Sequence, residues 1–414
     1  MNAKSLSILT LITLLVIIIT VVLTQPKTKP IEKDIKVFPN LMSSLDDVAE
    51  IDVKTEEQTI SLVRNDGQWL LKDKHNYPVA LDKVRQVLFG TADLTFLEAK
   101  TSNPKLYSKI GVEDPSEAGA KSTLLTLKKE GGETLADLII GNDKMAKTDS
   151  TLREIYIRKP NKKQTWLALG QLSVEPEPLD WLDKQIINLD NDRIRQVKVN
   201  QPDGGKIFVF KDTPADKEYQ LAEVPAGMKI KFPYILRNMA TTLSHFNMTD
   251  VNVATEIEFD NQVLNAVFTT FDGLKVTLTT TEQDDKYYAK LAAEFDPEAV
   301  WEEPPKEEKE ATSSEESESE ESKEDKPADK TESVKQEVEN LNAKFKGWVY
   351  EISAHKVEQL AKKLDELIEE EETETEEGDE ELPIELGNPS TALPGELGNP
   401  STITPAEMVM PTTP

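Results

Sequence analysis

The chain has 414 residues, with 48 Lys and Arg against 77 Asp and Glu, no cysteine, three histidines and 6% aromatic residues. The missing cysteine excludes a disulfide-stapled scaffold, a Cys-type zinc module and a thiol enzyme. A formal charge of -29 gives a field of the wrong sign for broad capture of phosphates, so no nucleic-acid partner is expected.

Leu6 to Leu23 reads LSILTLITLLVIIITVVL, eighteen residues without a charge. As a helix this run covers about 27 Å, close to the hydrocarbon thickness of a bilayer. Its exit, VVLTQP, lacks the Ala-x-Ala of a cleaved signal peptide, so residues 1–24 are expected to be a transmembrane anchor. Lys27, Lys29, Lys33 and Lys36 follow the run and only Lys4 precedes it, which counted alone would keep the bulk of the chain in the cytoplasm. A tail of few residues ahead of a first apolar helix usually stays inside, and on that ground the bulk is expected outside. Residues 25–39 read as a linker.

From Asp46, alternation of Val48, Ile51 and Val53, then Ile60 and Leu62, then Trp69 and Leu71 predicts a three-stranded antiparallel meander. YPVALDKVRQVLFGTADL predicts a helix, with Gly90 near its end. Hairpins follow around Glu130–Gly132 and across Pro160–Lys163, and an amphipathic stretch, PLDWLDKQII, closes a first unit over residues 40–189. The order then recurs. DRIRQVKVNQPDGGKIFVFKD matches the opening meander, with Val197 and Val199 lying 146 residues beyond Ile51 and Val53, a helix follows at FPYILRNMATTLSHF, and Phe96 finds a counterpart near Phe246.

Residues 302–333 carry 14 acids, 5 bases and no branched aliphatic or aromatic residue, so they cannot offset roughly 1–2 kcal/mol of backbone entropy per residue and read as a disordered insertion. Beyond it FKGWVYEIS supplies the tryptophan-bearing strand that the second unit lacks. Val357, Leu360, Leu364 and Leu367 then give the stripe of one closing helix. The second unit is thus expected over 190–301 and 334–368, interrupted by the insertion. Residues 369–414, acidic and then Pro-rich with a duplicated ELGNPST, read as a disordered tail. The expected fold class is α+β: a transmembrane helix, then two tandem repeats of antiparallel β-meander plus helix.

GQWLL, HNYPVALDKVRQVL, KLYSKIGVEDPS, LIIGN, QTWLAL and PLDWLDKQIINL, in that order after an apolar run, resemble bacterial membrane-anchored proteins of the "domain of unknown function 4340" family. The resemblance covers roughly residues 1–300 and 340–368. It implies a place in the bacterial inner membrane with the bulk of the chain in the periplasm, and a partner among gliding-motility-type ABC transport systems. It implies no reaction and carries no functional residue.

The chain's own residues offer no sharper chemistry. His75, His245 and His355 stand alone, His245 reading as half buried, and no metal site is expected. AGAKST around Lys121 lacks the glycine spacing of a phosphate loop, and Gly131–Gly132 and Gly204–Gly205 read as hairpin turns. Asp190 and Asp192 read as a cap. Trp69, Trp166, Trp181 and Trp348 read as core, with sugar stacking as the alternative. No residue is assigned as catalytic, cofactor-binding or metal-binding, and no cofactor is expected. The expected function is a non-enzymatic, membrane-anchored envelope protein acting as accessory or scaffold to a membrane complex. The alternatives are a glycan- or lipid-binding module and a carboxylate-dependent hydrolase.

Overall fold

The computed structural model describes residues 35–147, 149–303 and 327–371, together with positions 13 and 16. The expected anchor lies outside these residues apart from Thr13 and Val16, which are helical. Among the described residues no helix is long and apolar enough to cross a membrane. The insertion over 304–326 and the tail beyond Glu371 also lie outside them.

The fold is mixed α+β and dominated by antiparallel sheets. In the first sheet β1 (Val48–Lys54), β2 (Thr59–Asn65) and β3 (Gln68–Leu71) form the meander, with Asp66 and Gly67 at φ 48° and 81° in the turn. A two-residue β4 (Tyr77–Pro78) adds to its edge. Helix α1 (Leu81–Asp93) follows, with Val84, Val87, Gly90 and Thr91 buried. Gly90 lies in the last turn of this helix, three residues before Asp93, where the helix crosses the chain at Gln171–Leu172 so closely that a Cβ would stand 3.0 Å from the Gln171 carbonyl oxygen. Then come β5 (Thr95–Ala99), β6 (Thr123–Lys129), β7 (Thr134–Met145), β8 (Arg153–Arg158) and β9 (Thr165–Gly170). The sheet order is β4-β3-β2-β1-β6-β7-β8-β9-β5.

PLDWLDKQII resolves into a 3-10 turn, Pro178–Trp181, and β10 (Gln185–Ile187). The second sheet then builds from β11 (Ile194–Asn200), β12 (Lys206–Phe210) and β13 (Gln220–Leu221). β14 (Met228–Ile230), α2 (Pro233–Ala240), β15 (Phe246–Asn247) and β16 (Asp250–Val253) follow. After β17 (Gln262–Thr270), β18 (Leu274–Gln283) and β19 (Lys286–Phe295) come helix α3 (Pro327–Phe345) and β20 (Trp348–Ile352). The sheet order is β13-β12-β11-β17-β18-β19-β20-β16. Helices α4 (Ala354–Leu360) and α5 (Leu364–Leu367) and strand β21 (Ile368–Glu370) complete the described chain, with β21 pairing β14 and β15 pairing β10.

Several expectations change against this fold. Residues 327–333, placed in a disordered insertion, open α3. This helix turns Val334, Val338, Leu341 and Phe345 toward the core at intervals of one turn, so apolar burial downstream carries the polar first turns. The single closing helix is two, because Lys363 is extended at φ -89°, ψ 159° and caps a fresh helical turn with Glu366. Residues 369–370 belong to β21 and not to a tail. The linker ends before Ile35: Val37 is buried and its N–H donates to the Leu94 carbonyl at 2.8 Å, while Lys36 bridges Thr95. Phe246 pairs with Ile187 in the small β10-β15 sheet. The residue paired in β16 as Phe96 is in β5 is Val251, facing Tyr350 as Phe96 faces Ala168.

One buried apolar cluster runs through both sheets and the segment between them, including Ile51, Leu127, Trp181, Ile187, Val197, Phe268 and Tyr350. Each side chain fully buried there contributes about 1.5–3 kcal/mol over leaving it exposed. The described residues through Glu370 accordingly belong to one compact unit.

Candidate functional site

The residues of interest converge where the two sheets meet. β3 and β4 end in a turn at His75 and Asn76, both left-handed at φ 52° and 62°, which carries Lys74 and His75 out toward the second half. Lys74 Nζ pairs with Asp250 at 2.7 Å, and His75 Nε2 lies 3.4 Å from the Glu256 carboxylate. Behind them the Tyr77 ring meets Trp348 edge-on at 4.9 Å and Tyr350 at 6.5 Å. Burial pushes both tyrosine hydroxyls above their ordinary pKa, so they stay protonated and able to donate; Tyr350 donates to the Lys344 carbonyl at 3.2 Å.

Beside this aromatic contact the segment between the sheets folds back on α1. Val79 bridges Leu182, the Ala80 N–H donates to the Trp181 carbonyl at 2.8 Å, and Trp181 Nε1 donates to the Glu175 carbonyl at 3.0 Å. The result is an open cleft of about 930 Å³ lined by residues of 79–83 and 180–184 with Glu175. Its wall carries Asp82, Glu175, Asp180 and Asp183 against Lys83 and Lys184. Lys83 Nζ meets Glu175 at 2.6 Å, and that hydrogen bond raises the lysine pKa; Lys184 meets Asp180 at 2.7 Å. Two of the four acids, Glu175 and Asp180, are thus paired with lysines of the same cleft.

The singled-out residues are dispersed. His245 is exposed, not half buried, and His355 sits in the first turn of α4. Among the described residues no group of three or more His, Asp or Glu side chains is placed to hold a metal ion. Lys121 belongs to a loop in which the Gly119 N–H donates to the Glu56 carboxylate at 2.7 Å, and no helix opens there. Asp190 caps the 3-10 turn Asn191–Arg193 by accepting from the Asp192 N–H at 3.0 Å. Trp69 and Trp181 are buried; Trp166 and Trp348 are half-buried, their rings against Phe96 and Tyr77.

Two features had no clear sequence signal. Arg193 grips α3: its guanidinium donates twice to Glu337, at 2.8 and 3.1 Å, and once to Asp272 at 3.0 Å. Burial works against that charge, but the Glu337 hydrogen bonds and the Asp272 carboxylate outweigh it and hold the pKa above its ordinary value. Arg158 is buried under the KLYSKIG loop, donating to the Val112 carbonyl at 2.8 Å with its guanidinium 4.8 Å over the Tyr107 ring.

The sequence model of the family described as "Domain of unknown function (DUF4340)" matches residues 69–293, from the β3 tryptophan to β19. The chain belongs to this family. The DUF4340 match thus takes in the junction of the two sheets from the side of Tyr77 and the cleft, and ends before β20 brings Trp348 and Tyr350. No curated protein and no solved structure matches the chain.

Proposed function

We propose that this DUF4340 protein is a non-enzymatic scaffold tethered to the bacterial inner membrane by residues 6–23, and that its body is two copies of one sheet unit serving a membrane transport complex of ABC type from the periplasm. The observation that carries the duplication is a shared irregularity. β1 slips register between Val48 and Glu50 against β6, and β11 slips between Ile194 and Gln196 against β17, positions exactly 146 residues apart. A bulge bends a strand at a chosen point and is a designed feature of a sheet. The strand orders agree as well: in each sheet the meander is followed by a four-strand run, and the far edge is closed by a strand from the segment after the helix, β5 in the first sheet and β16, which follows β15, in the second. Two sheets sharing one core form a stiff body, as a scaffold requires. The transport partner comes from the family resemblance.

In-cell photocrosslinking from the rim of the junction, at Glu256 or Asp183, followed by identification of captured proteins, tests this reading. Membrane transport subunits are the expected catch; recovery of uncrosslinked chain alone under several chemistries would contradict it. An alkaline phosphatase fusion after Ser313 reads the membrane side, with an active fusion expected.

A second reading, a glycan- or lipid-binding module, draws on one observation. Phe232 and Tyr234 are exposed, with ring centroids 5.7 Å apart, ahead of and within the first turn of α2. The hydrolase alternative gains nothing from the electrostatics: Asp114, Asp149, Asp203, Asp216 and Glu366 are displaced, and all are displaced downward.

A further inference from the structure

Exposed apolar side chains gather where the chain reaches the first sheet. Ile35 is 41% exposed, Phe89 51%, Leu97 43% and Met145 64%. They are neighbours through the backbone. The Phe96 N–H donates to the Ile35 carbonyl at 2.9 Å and Lys36 bridges Thr95, which sets Ile35 opposite Phe96 on the β5 edge, one residue along the chain from Leu97. Phe89 and Thr95 line, with Leu152 and Leu169, a shallow cleft of about 600 Å³. Next to Met145, the Ala146 N–H donates to the Leu152 carbonyl at 2.9 Å.

The surrounding acids are neutralised in place. Asp93 pairs with Lys36 at 2.8 Å, Glu98 with Lys100 at 2.6 Å, Glu154 with Lys144 at 2.9 Å, and Asp143 with Arg153. In a chain of net charge -29 this removes local repulsion from an anionic surface. The segment leading to the cluster adds Lys27, Lys29 and Lys33 against Glu32 and Asp34, and basic residues beside a span are drawn to anionic lipid.

Chain length decides the occupant. Residues 24–34 separate the apolar run from Ile35, and eleven residues reach at most about 36–40 Å when fully extended. With the run embedded, this end of the first sheet is held near the bilayer at high effective concentration, so a small apolar area suffices for contact. We propose that the face formed by Ile35, Phe89, Leu97 and Met145 rests on the lipid surface of the membrane that holds residues 6–23, fixing the tilt of the body. The inference relies on the tether proposed above.

The chain has no cysteine, so single labels are clean. Full-length protein carrying Phe89→Cys, Met145→Cys or, on the second half, Lys217→Cys is labelled with an environment-sensitive fluorophore. It is reconstituted in phosphatidylcholine–phosphatidylglycerol vesicles with or without a nitroxide on the lipid headgroup. Quenching at 89 and 145 at least two-fold greater than at 217 is expected. Equal quenching at all three, in vesicles from which alkaline carbonate does not remove the protein, would overturn this inference and leave the tether standing. Removal by carbonate would overturn both. Blue-shifted emission at 89 and 145 in detergent that fades on dilution would mean that a second copy covers the face, and would overturn the lipid assignment.

Discussion

The two large sheets are completed in different ways. In the first, β8 reaches β9 through residues 159–164, with Asn161 at φ 60° at the tip. In the second, the corresponding step from β19 to β20 takes residues 296–347, and α3 returns the chain to the ladder. Both fourth strands nevertheless end between the same neighbours, β9 between β8 and β5 and β20 between β19 and β16. A ladder needs a strand of the right pattern and not a short connection, because closure entropy grows only with the logarithm of loop length, about 0.6 kcal/mol per doubling. The long route is pinned on its return by Arg193 on Glu337 and by Asn342, whose side chain accepts from the Ala293 N–H at 2.9 Å and donates to the Ala293 carbonyl at 2.8 Å.

The largest expected effect contrasts the two fourth strands directly. Tyr350 is fully buried and joins β20 to Tyr77 of the first sheet, so Tyr350→Ala should cost about 3–5 kcal/mol in urea unfolding. Trp166→Ala, at the half-buried start of β9, should cost about half as much; equal costs would break the comparison. Next is the pin. Arg193→Met leaves Asp272 and Glu337 without their cation, and since all three groups are about one-third exposed the loss should be about 1–2 kcal/mol in thermal or urea unfolding, shrinking in 0.5 M salt. Replacing residues 304–326 by an eight-residue Gly/Ser linker should leave stability within about 1 kcal/mol, because only closure entropy changes; a larger loss would give that segment a structural role.

The smallest effect is acid sensitivity. The backbone N–H groups of Ser116, Gly205, Thr213 and Lys363 hold Asp114, Asp203, Asp216 and Glu366 below the usual carboxylate range. A carboxylate lowered in the folded state contributes stability above its unfolded pKa near 4, and that contribution fades as pH falls through the lowered value. Melts from pH 7 to pH 2 should therefore show a small loss confined below about pH 4, reported equally by probes in either half because both sheets share one core.

The elements visible in the sequence are those with strict alternation or helical spacing over several residues. Ile51 and Val53, Ile60 and Leu62, and their second-half equivalents are buried at alternate positions as their pattern requires. Helix α3 escaped because it opens in Pro-, Asp- and Lys-rich sequence and shows only four apolar residues facing inward over nineteen. The break at Lys363 escaped because the stripe Val357 to Leu367 continues across it, while the decision is made by backbone capping. The offset that pointed Phe96 to Phe246 failed because the second half spends β15 on a separate two-stranded sheet before reaching its edge strand. The junction of Lys74, His75 and Tyr77 with Asp250, Glu256 and Trp348 joins residues more than 170 positions apart, and single-sequence periodicity carries no information on such contacts.

Amide hydrogen exchange on the full-length chain tests most directly whether the two sheets are one body closed from beyond residue 326. The account predicts that amides of Trp348–Ile352 exchange as slowly as those of Thr165–Gly170, both among the slowest class. Exchange of the 348–352 segment at loop rates, a hundredfold or more faster than 165–170, would contradict it.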